Sequence, residues 1–400
     1  MTAAVLVFVL CLWPLVAFAG GLGFTALTTL VGVVSIPSLG RLRPRLYVAP
    51  LLAFFLFAAV STLWSPRAEE LVEINFQTGD FHVRSEVIRV GLLFVALAAG
   101  AAASMRLQQK RARLVSNVAR VALGLNVIIA FLVVVFLDQA LELFAGLVKE
   151  PGDAILDTAR NCQIMAIGLT WLVPSLLQFE KRAVGIGLAG GALTLALYTL
   201  IANDILAGVF AIAAAGGATA VIRIAPINGF RIIGGGLAAV VLAMPLLAGW
   251  ISQGRQLETA TNSLEWRQAI WARVLEIVAA HPVFGGGVGV LRTIHEVAQE
   301  GVFTGQNVVP NHAHNMFLQV WAETGAVGAL LVAATLVLAA WRMPAPQRLG
   351  ASAIQVAGLV GGASAISLVS YDLWHEWWWG AVGLLSLLCV TTYKKTQYEP

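Results

Sequence analysis

Charge is what this chain has least of. Only 12% of its 400 residues are Asp, Glu, Lys or Arg, about half the share found in soluble domains. A soluble globular enzyme is thereby excluded. The formal net charge is +4, and this small surplus sits in short loops between apolar runs, so nucleic acid is not an expected partner. Cysteine is almost absent. Cys11, Cys162 and Cys389 lie far apart inside apolar runs, which argues against a disulfide framework or a thiolate metal site. The metal motifs HExxH and DxD are missing. So is the Gly-Lys-Ser/Thr ending of a phosphate loop, and the glycines at 285–289 do not follow GxGxxG. No internal repeat stands out, and the two halves lack a matched pair of interrupted helices, which weighs against a secondary transporter. No cofactor and no metal are expected.

What is present is hydrophobic: 59% of the residues. Apolar runs recur at 3–19, 21–38, 46–64, 88–104, 115–137, 159–178, 183–201, 205–222, 232–250, 315–340, 350–370 and 379–393. Their lengths predict an all-α polytopic membrane protein with about twelve spans. The first run resembles a signal peptide but lacks the basic start of one and reads as a retained helix. Alternate loops carry Arg41/Arg43/Arg45, Arg106/Lys110/Arg111/Arg113, Lys181/Arg182, Arg223/Arg231, Arg342/Arg348 and Lys394/Lys395. By the positive-inside rule these face the cytoplasm, as do both termini. All six histidines then fall on the opposite, periplasmic face. The expected organisation is helices one to nine over 1–250, a large partly helical periplasmic loop over 251–314, and helices ten to twelve over 315–400.

The loop carries most of the polar chemistry. Residues 264–279 read as an amphipathic helix, with Glu265, Arg273 and Glu276 on one side. Trp266, Ile270, Trp271, Val274 and Val278 lie on the other. Arg267 sits in the middle of the apolar side. There it either meets an anion or snorkels to lipid headgroups. His281-Pro282 and the glycines that follow end this helix and shape a re-entrant turn. The loop closes on Pro310-Asn311-His312-Ala313-His314-Asn315, which opens the tenth span. Asn315 can cap that helix or fix the His314 ring. His312 and His314 with Glu296, Glu300 or Asp372 could hold a divalent ion, although no ligand motif supports it. Tyr371, Trp374, Trp377, Trp378 and Trp379 form either an interfacial aromatic belt or a sugar-stacking platform.

The run Asn311-His312-Ala313-His314-Asn315-Met316-Phe317-Leu318-Gln319, with Glu323-x-Gly325-x-x-Gly328, resembles the signature of the O-antigen ligase/O-antigen polymerase family. Ser263, Arg267 and Trp271-Ala272 followed by His281-Pro282-x-Phe284-Gly285-x-Gly287-x-Gly289 is similar to that family's external loop. Weaker likenesses are Trp64-Ser65-Pro66, Arg160-Asn161 and the 371–378 run.

The resemblance implies a GT-C-like, metal-independent, inverting glycosyltransferase of the bacterial inner membrane with its site facing the periplasm. Its donor would be a glycan on undecaprenyl diphosphate. The acceptor would be lipid A core for a ligase, another lipid-linked glycan for a polymerase, or a protein hydroxyl. In that chemistry His314 serves as the base and Arg267 meets the leaving diphosphate. His312, Asn315, Arg160, Trp271, Asp372 and Glu376 are the expected substrate-binding residues, and membrane lipid surrounds the whole. The arginine that family members often carry near the eighth span is absent here. Arg160 is the first substitute, ahead of Arg84, Arg89 and Arg292. The contrasting expectation is a lipid or polysaccharide flippase, which would line a through-path with charge. The predicted span centres carry almost none.

Overall fold

The computed structural model describes residues 1–42, 48–67, 73–75, 80–82, 85–140, 142, 151–253, 262–298 and 304–396. The chain is mainly helical: α1 Thr2–Phe18, α2 Phe24–Ser35, α3 Ala49–Ser61, α4 Glu86–Ser104, α5 Gln109–Val135, α6 Pro151–Leu176, α7 Arg182–Ala202, α8 Leu206–Ile224, α9 Gly229–Gln253, α10 Asn262–Ala280, α11 Met316–Arg342, α12 Ala351–Ser367 and α13 Glu376–Thr396. A small antiparallel ribbon, β1 Glu73–Asn75 and β2 Asp80–His82, pairs Ile74 with Phe81.

Each of the twelve expected apolar runs holds one helix, and α10 is the amphipathic helix expected between the ninth and tenth. Boundaries differ where polar flanks also coil. α5 begins at Gln109 rather than 115, because hydropathy marks where a helix meets lipid and not where its hydrogen bonds begin. Among the described residues, α4, α5, α7, α8, α9 and α11 are long and apolar enough to cross a membrane. The outward surfaces carry large apolar side chains such as Leu52, Leu56, Leu246 and Trp250. Surfaces of this kind mark contact with lipid rather than water.

Helices approach closely where side chains are small. Gly361 and Gly362 of α12 lie against Ala211, Ala214 and Ala218 of α8, the packing expected where no hydrophobic drive separates helix from lipid. α11 pairs with α9 and is interrupted at Gly325, whose φ of 60° and ψ of −158° lie outside the helix. The groups freed by that break are taken up by the 282–287 loop. Gly286 and Gly287 N–H donate to the carbonyls of Ala322 (2.8 Å) and Glu323 (3.0 Å). Ala326 and Val327 N–H donate to those of Pro282 (2.9 Å) and Val283 (3.1 Å). A break inside a helix needs such replacement partners, since buried backbone groups left unpaired are costly.

Candidate active site

The loop entering α11 is tightly held. Asn315 is buried and caps the helix, its Oδ1 accepting from Phe317 N (3.1 Å) and Leu318 N (3.0 Å). Of the two roles open to Asn315, the structure shows the cap. The preceding residue, His314, adopts φ of 48°. For a non-glycine residue this left-handed backbone costs about 1–3 kcal/mol unless its surroundings enforce it. They do: the Trp271 indole donates to the Ala313 carbonyl (3.0 Å), and His314 N–H donates to His312 Nδ1 (3.1 Å). The His314 ring lies against Trp266, with centroids 5.2 Å apart. Trp271 is thus a buried support of the histidine loop.

The second half of the site is the turn joining α12 to α13. Two consecutive carbonyls at its start receive the residues singled out from the sequence. Val369 O accepts from Arg267 Nε (2.7 Å), and Ser370 O faces His314 Nδ1 at 3.2 Å. Farther along, buried Asp372 accepts from Gln319 Nε2 (2.8 Å) and Trp374 N (2.8 Å) through Oδ1. Its Oδ2 accepts from Arg292 (3.0 Å). Asp372 N–H in turn donates to His375 Nδ1 (3.2 Å).

These bonds fix ring tautomers. A carbonyl can only accept, so Nδ1 of His314 carries the proton and Nε2 is left with its lone pair. His312 and His375 each accept a backbone N–H at Nδ1, so their neutral rings carry the proton on Nε2. One histidine is therefore set up to take a proton and two to donate hydrogen bonds. Burial, with the neighbouring His312 and Arg267 charges, pushes His314 well below the ordinary histidine value. Burial likewise lowers His312 and brings His375 down to about 4. Burial opposes the charge on Asp372, but His375, His312 and Arg292 outweigh it and hold this carboxyl below its usual range.

A polar cavity of about 780 Å³ opens beside these groups. Arg67, Arg160, Arg292, His312, His375 and Asp372 are among the residues that line it. Its cations are themselves anchored. Arg160 pairs with Asp157 (2.9 Å) and lies over the Trp377 ring (5.9 Å). Arg292 joins Asp372 to Glu86. His314 stands beside this wall, its ring 4.2 Å from that of His312, which is 5.2 Å from His375. Glu376 pairs with Arg89 (2.7 Å), and Glu296 pairs with Arg273 (2.8 Å). Glu300 and Arg84 lie outside the described residues.

Tyr371, Trp374, Trp377 and Trp378 are buried. They make neither a lipid-facing belt nor an open platform but the floor of the turn. Sequence reading passed over Arg67 and the paired role of Arg292, and gave Gln319 a place in the signature run but no role. Arg67 directly follows the Trp64-Ser65-Pro66 run, a signal that could have located it. Gln319 links Asp372 to the buried Glu323 (3.1 Å), which also accepts from Gly289 N (3.1 Å) and the Trp374 indole (2.6 Å).

No curated protein matches the chain. The sequence family described as O-antigen ligase matches residues 191–333. That stretch runs from α7 through the α11 break and includes Arg267, Trp271, Arg292, His312, His314 and Asn315; Arg67, Arg160 and the α12–α13 turn lie outside it. The match covers 143 of the 400 residues and supports, over that stretch, a likeness to the O-antigen ligase/polymerase family.

Proposed function

We propose that the protein is a periplasm-facing, metal-independent, inverting glycosyltransferase that moves a glycan from undecaprenyl diphosphate to an acceptor hydroxyl. We place O-antigen ligation to lipid A core ahead of glycan polymerisation, which shares the donor and the chemistry. The observation that carries the reading is the His314 Nδ1–Ser370 O contact. It leaves one imidazole nitrogen as a base beside a cavity lined by three arginines.

The reaction is one displacement. His314 Nε2 takes the proton of the acceptor hydroxyl as that oxygen bonds to the anomeric carbon. The bond from that carbon to the phosphate oxygen breaks, and the lipid diphosphate leaves with its added negative charge. Arg160 and Arg292 in the cavity, with Arg267 on the membrane side, are the cations for that charge. His312 and His375 supply N–H donors, and Asp372 keeps Arg292 and the turn in place. Asn315 and Trp271 hold the histidine loop, and Glu376 holds Arg89 at the rim. All twelve apolar helices span the membrane in this reading, with α10 and the loops on either side of it in the periplasm.

His314→Ala tests it. Glycan transfer in purified membranes is expected to fall at least about 100-fold while the protein still inserts, and EDTA is expected to leave the wild type active. Near-normal transfer by the variant removes His314 from the mechanism. Loss with EDTA that a divalent ion restores brings back a metal-dependent route.

A further inference from the structure

A second cleft, of about 380 Å³, lies between α6, α7, α8 and α12. It leads away from the histidine cavity. On α6 it begins at Ala166, beyond Arg160, and runs away from the site to Gln178. On α12 it is lined by Ala351, Ile354 and Gly358, whereas the site uses Val369 and Ser370 past the opposite end of that helix. Its walls are apolar: Leu169, Val173, Leu193, Ile212 and Ile354. Thr170 and Thr219 also line it, and Gln178 and Arg223 stand at one end. Arg223 is exposed and makes no ion pair among the described residues. Lys181 stands in the adjoining α6–α7 turn and Arg182 opens α7.

Length and charge together select an occupant. From Ile212 to Arg223 the cleft follows α8 for about 17 Å at 1.5 Å per residue. Half of a bilayer's hydrocarbon thickness is about 15 Å. The slot therefore spans one leaflet, apolar along its length and basic at its end. We infer that it holds an acyl chain of an anionic phospholipid, whose headgroup phosphate sits against Arg223 in the leaflet next to the basic loops. Basic residues at the rim of an apolar interhelical cleft suit that headgroup by charge. The diphosphate donor would carry its charge at the other end of the bundle, so this site is separate from the proposed reaction and does not rest on it.

Two neighbouring glycines make the test selective. Gly216 lines the cleft, whereas Gly217 is not among its lining residues, and an added Cβ at either meets open space. Gly216→Leu fills the slot, and Gly217→Leu makes the same change of helix propensity one residue round. Native mass spectrometry of the delipidated full-length protein, titrated with phosphatidylglycerol or with phosphatidylcholine of the same chains, reads the result. The wild type and Gly217→Leu are expected to retain one phosphatidylglycerol at least about fivefold more tightly than phosphatidylcholine. Gly216→Leu is expected to lose that retention, and Arg223→Gln to bring phosphatidylglycerol down to the phosphatidylcholine level. Equal retention of the two lipids by the wild type overturns the inference. So does Gly216→Leu binding as the wild type does, equal losses in both leucine variants, or Arg223→Gln retaining the preference.

Discussion

At the scale of single residues, the site depends on which nitrogen holds a proton. Backbone groups settle this: carbonyl 370 for His314, and the N–H groups of 314 and 372 for His312 and His375. The His375 value near 4 lies below the unfolded histidine value of 6.5. Neutral His375 thus contributes stability that is complete above about pH 6.5 and is lost as pH falls through about 4. Thermal unfolding in detergent should show the melting temperature falling across that window. His375→Gln, which keeps an acceptor for Asp372 N–H but does not titrate there, should flatten the slope; an unchanged slope assigns the effect to another group. The two arginines of α10 give a second comparison. Arg267 reaches the site turn, while Arg273 pairs with Glu276 and Glu296 on the polar side. Transfer should fall at least about tenfold in Arg267→Ala and stay within about twofold of wild type in Arg273→Ala. Equal effects would undo the assignment of Arg267.

At the scale of elements, the break in α11 is what brings the glycine loop to the site. Gly325 holds a backbone conformation open essentially to glycine alone, and a Cβ there would run into the backbone of 283–285. Gly325→Ala should destabilise the protein by at least about 1–3 kcal/mol, read as a lower melting temperature and a smaller monodisperse fraction. Wild-type stability would mean that the loop does not need this contact. The break also has a consequence for the buried carboxylate next to it. Glu323 accepts from Gly289 N and, through Gln319, touches Asp372. The glycine loop, α11 and the α12–α13 turn are thereby joined by one set of hydrogen bonds. Charge pattern made α10 legible in the sequence: Ile270, Trp271, Val274 and Val278 are buried together as its apolar side requires. The Gly325 interruption was not legible, because a glycine inside an apolar run looks the same whether it packs a helix or breaks one.

At the scale of the whole molecule, His312, His314 and His375 gather with Arg160, Arg292 and Asp372 around one cavity, an arrangement that suits a one-sided transfer site better than a charged through-path. Glycan profiling of a strain lacking the protein separates the remaining choices. A ligase predicts long glycan accumulating on the lipid carrier while lipid A core stays bare. Accumulation of single repeat units would favour a polymerase instead, and normal pools would place the substrate outside this pathway.

Sequence alone determined the helical membrane class, the order of the apolar helices among the described residues, and the place of the His-Asn segment at the start of α11. These follow from local properties: a run of about twenty apolar residues must coil in lipid, and the His-Asn segment is contiguous. Tertiary structure decided which groups meet. Arg67, Arg160, Arg292 and Asp372 come from four separate stretches of chain, and only packing brings them to one cavity. The ring tautomers were decided the same way. Three histidines of the same type differ only in the backbone atom facing Nδ1, and that atom is supplied for His314 by a turn more than fifty residues away.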